Sequence, residues 1–225
     1  ERIKEAQAQG QRVWAETCPQ YLLLSDEELA KVGPLAKIGP PLRPKDGPDQ
    51  PAMWRGLELG HISTVGSDHA PHFQELKKPG WDNIFITPEG SPVPFGSPGI
   101  ETLVPLAYSE GVVKRGFPVS WLARVMSENP ARLFGLYPRK GVIQVGADAD
   151  LTIINPEDDM MISAKDHHGN SGFTLYEGWD VSGKPWMSLL RGQVLLNQGK
   201  LEQQPGYGHF LDCVGPRAPL GGRVR

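Results

Sequence analysis

Cysteine is nearly missing from this chain. Cys18 and Cys213 are the two in 225 residues, far apart and without a Cys-x-x-Cys pair. That excludes a disulfide framework and a thiolate zinc site, and it makes a reducing, cytoplasmic setting the expectation. Long apolar runs are missing too: none approaches the roughly 18 residues of a membrane span. Positive charge is not in excess, since the formal net charge is −3, so no basic field exists to draw in nucleic acid or an anionic membrane. There is no internal repeat and no low-complexity segment. The chain also lacks an initial Met and any N-cap before its first helical residues, and its charged opening Glu1-Arg2-Ile3-Lys4 is no signal peptide. A cut edge within a longer protein is therefore expected at residue 1.

Glycine (27) and proline (22), by contrast, are plentiful. They gather at 33–51, 79–99 and 205–222, which marks long loops in an otherwise ordinary soluble composition. Between the loops the pattern predicts a polar helix at 1–9, a strand at 11–17 and a helix at 25–31 opened by a Ser25/Glu28 capping box. A rigid loop at 39–43 follows, then a helix at 50–60 burying Met53, Trp54 and Leu57, and a strand at 61–66. Helices are predicted at 100–113 and 119–126, with a third short one begun by Asn129 as cap and Pro130 at its first turn. This is the rhythm of a parallel α/β architecture. After Pro138 the pattern turns to strands: two around a Gly/Asp turn in 141–156, then a hairpin at 186–197 turning at Arg191-Gly192. The expected division is 1–138, 139–204 and an extended or loose tail at 205–225.

The chemistry points to Ser63-Thr64-Val65-Gly66-Ser67-Asp68-His69-Ala70-Pro71-His72. An apolar run stops at Gly66, and an acid and two histidines follow. That is how a buried parallel strand delivers reactive groups at its C-terminal tip. Asp68 can bind a metal, act as a base, do both, or simply cap the loop. The connection from 68 to 98, about thirty residues with little periodicity, has the length of a functional loop.

Six segments stand together in order: Glu16-Thr17-Cys18-Pro19-Gln20-Tyr21-Leu22, Pro40-Pro41-Leu42-Arg43, Gly66-Ser67-Asp68-His69-Ala70-Pro71-His72, Asn129-Pro130-Ala131, Leu136-Tyr137-Pro138-Arg139-Lys140-Gly141 and Gly146-Ala147-Asp148-Ala149-Asp150-Leu151. In this the chain resembles the cyclic amidohydrolases of the dihydropyrimidinase/hydantoinase branch, from about residue 11 to 211. The resemblance implies the C-terminal part of a (β/α)8 TIM-type barrel followed by a small β-sandwich module. It implies two divalent metal ions, zinc in most members, and a metal-bridged hydroxide that hydrolyses the amide of a cyclic ureide or imide. Asp68 would be both metal ligand and proton shuttle. The family's remaining ligands, a His-x-His pair, a carbamylated lysine and two histidines, are expected upstream of Glu1, so the chain alone is expected to be inactive. The likeness also implies a homo-oligomer, tetramer or dimer, acting on a small cyclic amide.

The resemblance further implies substrate contacts at Gly39, where hydantoinases have serine, and at Phe95 and Gly96, near a position that is often asparagine. His72 is a further candidate, because the last histidine of the same motif in dihydroorotases helps hold the substrate carboxylate. Dihydroorotase or allantoinase chemistry is thus the near alternative, and a non-catalytic assembly protein the distant one. Phe95 favours an apolar substituent or is core. His69 is expected to hydrogen-bond within its loop, and His61 to be structural or on the surface. His167, His168 and His209 are solvated, and Cys18 is unreactive. Arg43 is expected to pair with Asp46 or Asp49, with anion binding the alternative, and Asp148 and Asp150 are expected to form a turn.

Overall fold

The computed structural model describes residues 1–202 and 205–212. They form two compact units, one of residues 1–106 with 161–180, the other of 107–160 with the chain from 181.

In the first unit, Glu16–Thr17 and Thr64–Val65 pair in parallel, in the register Glu16 to Thr64 and Thr17 to Val65. The pairing extends through Ser63 N–H to the Ala15 carbonyl (2.8 Å) and Gly66 N–H to the Thr17 carbonyl (2.9 Å). The residues between the strands form the crossover that a parallel pair requires. Its main helix, Asp49–Glu58, buries Trp54 and Leu57, while Met53 stays half-buried. The helix lies on Pro19–Leu23: the Trp54 indole donates to the Leu22 carbonyl (3.1 Å) and the Gln50 amide to that of Leu24 (2.7 Å). Gly60, at φ +75°, ends it as the sequence suggests. The segment 161–180 completes this unit, with Ile162, Phe173, Leu175 and Tyr176 buried.

In the second unit a four-stranded antiparallel sheet runs in the order Leu151–Asn155, Lys184–Leu190, Gln193–Asn197, Lys200–Leu201. The expected hairpin is its centre. The Asp148/Asp150 turn is held by Arg139 and Lys140: Lys140 reaches both carboxylates, and Arg139 bonds Asp148 at 2.9 Å. Tyr207 is bound to the hairpin through the Arg191 guanidinium. Cys213 and the rest of the tail lie outside the described residues.

Several local expectations need correction. The first strand is limited to Glu16–Thr17, because residues 11–15 have no ladder partner beyond the Ala15 carbonyl. No capping box forms: the helix starts at Glu27, Glu28 pairs forward with Lys31 (2.8 Å), and Ser25 contributes only its main-chain oxygen. Asn129 is the first helical residue of Asn129–Leu133 and not its cap. Of the two strands expected in 141–156, only Leu151–Asn155 forms. The helix beginning at Leu103–Leu106 continues as a π-helix, Ala107–Val113. There Gly111 is needed, since a Cβ would stand 2.5 Å from the Trp121 ring.

Candidate active site

The two parallel strands end side by side, and their first residues beyond the ladder build the site. Glu16 lies across the neighbouring tip. Its carboxylate accepts from the Thr64 hydroxyl (3.0 Å), and a Cβ at Gly66 would come 2.9 Å from it, so a side chain there would displace the carboxylate. Two residues on, Asp68 holds φ +48°, a left-handed backbone that costs a non-glycine residue about 1–2 kcal/mol, least for Asp and Asn. Its exposed carboxylate accepts a long hydrogen bond from the Gln20 amide (3.4 Å), and it joins no ion pair among the described residues.

The charge of Asp68 is felt by the groups around it. Burial, then the charges of Asp68 and Glu16, push the Cys18 thiol up to about 12. Burial, then Asp68, does the same to the Tyr21 phenol, also to about 12. The Thr17 hydroxyl is buried and has no hydrogen-bond partner among the described residues. An exposed carboxylate on strained backbone, in no ion pair among the described residues, fits the role of ligand to a divalent ion. Among the described residues no group of three or more His, Cys, Asp or Glu could hold one. Among the described residues, Asp68 could offer such an ion a single carboxylate.

The candidate substrate contacts form a second cluster. Gly39 and Phe95, 56 positions apart, meet: a Cβ on Gly39 would stand 3.3 Å from the Phe95 ring. Phe95 is 55% exposed, so it is not core, and its ring stacks on the Lys37 ammonium at 4.1 Å. Gly96, at φ +102°, presses on Ala70, where a Cβ would come within 2.3 Å. The Gly39–Phe95–Gly96 cluster therefore abuts the residues just past Asp68. His69 Nδ1 accepts from the N–H groups of Gly99 (3.1 Å) and Ile100 (3.2 Å), so its ring proton sits on Nε2 and the ring fastens the loop, as expected. His72 is half-buried and donates its main-chain N–H to the Ala70 carbonyl (3.0 Å).

Two expectations fail. Arg43 forms no ion pair with Asp46 or Asp49 and stays exposed. His168 is not merely solvated: its ring meets the Glu101 carboxylate at 2.9 Å, and Glu101 also accepts from the N–H groups of His168 and Gly169. Burial alone would raise Glu101, but these hydrogen bonds outweigh it and hold the carboxyl below its ordinary value. This bracket borders a recess lined by His69, Pro98, His167 and Phe173, which does not include Asp68.

Sequence reasoning missed Gln20, Glu16, Lys37 and Lys77. The first two stood within a recognised segment with no role assigned. The lysines look like ordinary surface residues, since nothing local announces that their stems run inward.

The amidohydrolase family model matches residues 40–184, more than half of the chain. An L-hydantoinase of Paenarthrobacter aurescens is 36% identical over 211 residues, covering 94% of this chain and 44% of the relative. A D-hydantoinase of Geobacillus stearothermophilus is 38% identical over 215 residues, again 94% of this chain and 44% of the relative. Among solved structures, a D-hydantoinase superposes with a TM-score of 0.86 at 37% identity, covering 93% of this chain and 45% of that one. A dihydropyrimidinase from Brevibacillus agri gives 0.81 at 36%, covering 89% and 42%. The chain thus spans somewhat under half the length of the relatives it matches.

Proposed function

Because this chain belongs to the amidohydrolase family, we propose that the longer protein carrying it hydrolyses the amide bond of a cyclic ureide or imide, of the hydantoin or dihydropyrimidine type. One observation carries the reading: Asp68 projects an exposed carboxylate, in no ion pair among the described residues, from a left-handed backbone at the C-terminal tips of two parallel strands. That is where barrel enzymes place their chemistry. A scaffold protein gains nothing from such a strained acid, which weighs against a non-catalytic assembly role.

Asp68 would be one ligand of a two-metal centre whose other ligands come from the rest of the protein. Divalent ions, zinc by family likeness, supply Lewis-acid polarisation of the ring carbonyl and activation of water. The Asp68 carboxylate takes a proton from the attacking water and hands it to the leaving ring nitrogen. Gln20, bonded to Asp68 Oδ2, orients that carboxylate. The Gly39 backbone and Gly96 border the ring, and the exposed Phe95 face suits an apolar ring substituent. With Gly39 in place of serine and His72 ending the Asp-His-Ala-Pro-His run, opening of a carboxylate-bearing ring such as dihydroorotate, or of allantoin, is the second reading. No helix of the described residues is long and apolar enough to cross a membrane. Family likeness supports a dimer or tetramer, the scarcity of cysteine supports a cytoplasmic setting, and the change of pattern after Pro138 supports the division into barrel (1–138) and β module (139–204).

The test is the full-length protein, assayed for bound metal and for ring opening of hydantoin, dihydrouracil, dihydroorotate and allantoin. Bound divalent metal with turnover of one ring supports the proposal. Absence of metal together with no turnover of any ring refutes it.

A further inference from the structure

Lys77 is fully buried, at 0% exposure, at the end of the short helix Gln74–Lys77. It joins no ion pair among the described residues. Its ammonium instead donates to two main-chain carbonyls, those of Lys37 (3.2 Å) and Gly96. The Lys37 carbonyl also accepts the Gly96 N–H (2.9 Å). Lys37 leads two residues later into Gly39, and Gly96 follows Phe95. On the other side of the loop, Ser97 bridges to His69 and its carbonyl accepts the Ala70 N–H (3.0 Å). One buried ammonium thus sits where the segment of Gly39, the loop of Phe95 and the residues past Asp68 are joined.

We infer that Lys77 is a positioning residue, whose ammonium holds the segments bearing Gly39 and Phe95 in register against the Asp68 strand tip. Its effect on catalysis rests on the function proposed above; its effect on the loop does not. Filling space does not explain a lysine at this position. Methionine has similar length and packs an apolar gap without the cost of burying an unpaired cation. What lysine adds is charge-assisted donors for carbonyls that the loop geometry leaves facing inward. The cost is visible: burial, then the nearby Lys37 charge, lowers Lys77 to about 8. Lys37 is itself buried, with its ammonium on the Val93 carbonyl (2.6 Å), so the two lysines brace the loop from both sides.

The experiment is hydrogen–deuterium exchange on the full-length protein, wild type and Lys77→Met. In the wild type, residues 93–100 should be protected even though Phe95 is largely exposed. In Lys77→Met their protection should fall about tenfold or more, the loss expected for a charged hydrogen bond. Protection of the 184–197 hairpin should stay as it was. For the ring that the protein opens, KM should rise about tenfold with kcat within about threefold, the pattern of lost binding geometry. Unchanged protection of 93–100, or an equal loss across the whole protein, overturns the inference. So does an unprotected 93–100 in the wild type, which decides the matter even if neither Lys77→Met nor Lys77→Leu folds. If the protein opens no ring, the exchange result still stands or falls alone.

Discussion

Asp68 occupies a backbone conformation that L-residues avoid, and it does so just past the C-terminal tip of its strand. Replacing it with asparagine keeps the shape and the tolerance for positive φ but removes the charge and the proton-carrying oxygen. In the full-length protein, Asp68→Asn should lower kcat by about a thousandfold, within the range for loss of a general acid–base, while the melting temperature stays nearly constant. Retained turnover would remove Asp68 from the chemistry. Cys18 illustrates the opposite case. With its thiol at about 12, its thiolate fraction at pH 8 is about one in ten thousand, so iodoacetamide should leave Cys18 unlabelled until the protein unfolds. Rapid labelling of native Cys18 would contradict its burial. Asp68 was legible in the sequence because its neighbours, Gly66 and the two histidines, form a recognisable strand tip. The contact of Gly39 with Phe95 was not, because it joins residues far apart in the chain and depends on how the 68–98 connection folds back.

At the scale of elements, the helix Asp49–Glu58 could be read from its apolar spacing and its closing glycine. The short strands beside it were less clear, since two-residue ladders leave almost no alternation to read. The capping box misled because Ser25 is buried and Glu28 finds Lys31 instead. The helix matters as the support of the site. Trp54→Ala should cost about 3–5 kcal/mol in chemical denaturation, since it removes a large buried ring and its bond to the Leu22 carbonyl. A change below about 1 kcal/mol would mean that the helix does not brace the residues leading to Gln20. The Glu101 bracket carries a pH dependence. Its carboxyl is held below the ordinary value, so its contribution is present above the unfolded-state value and lost as pH falls through the folded one. Exchange protection of 167–169 should therefore drop in acid in the wild type, and Glu101→Gln should abolish that pH dependence.

The whole molecule reads along the chain as α/β chemistry first and a β sheet after it, and the residue pattern made that much plain. What the pattern hides is how much apolar surface the chain leaves open: Trp81, Phe85, Phe134, Ile143 and Val145 are all exposed. Expressed as these 225 residues alone, the chain should self-associate in sedimentation; a monodisperse, cooperatively melting monomer would contradict that. On the proposed function the metal ligands would be divided, with the Asp68 carboxylate in this chain and the others in the rest of the longer protein. The most direct measurement is ring opening of hydantoin and dihydrouracil by the metal-loaded full-length protein, run beside its Asp68→Asn variant. Turnover in the wild type that falls about a thousandfold in the variant is the expected result. Equal turnover in the two would contradict a catalytic Asp68.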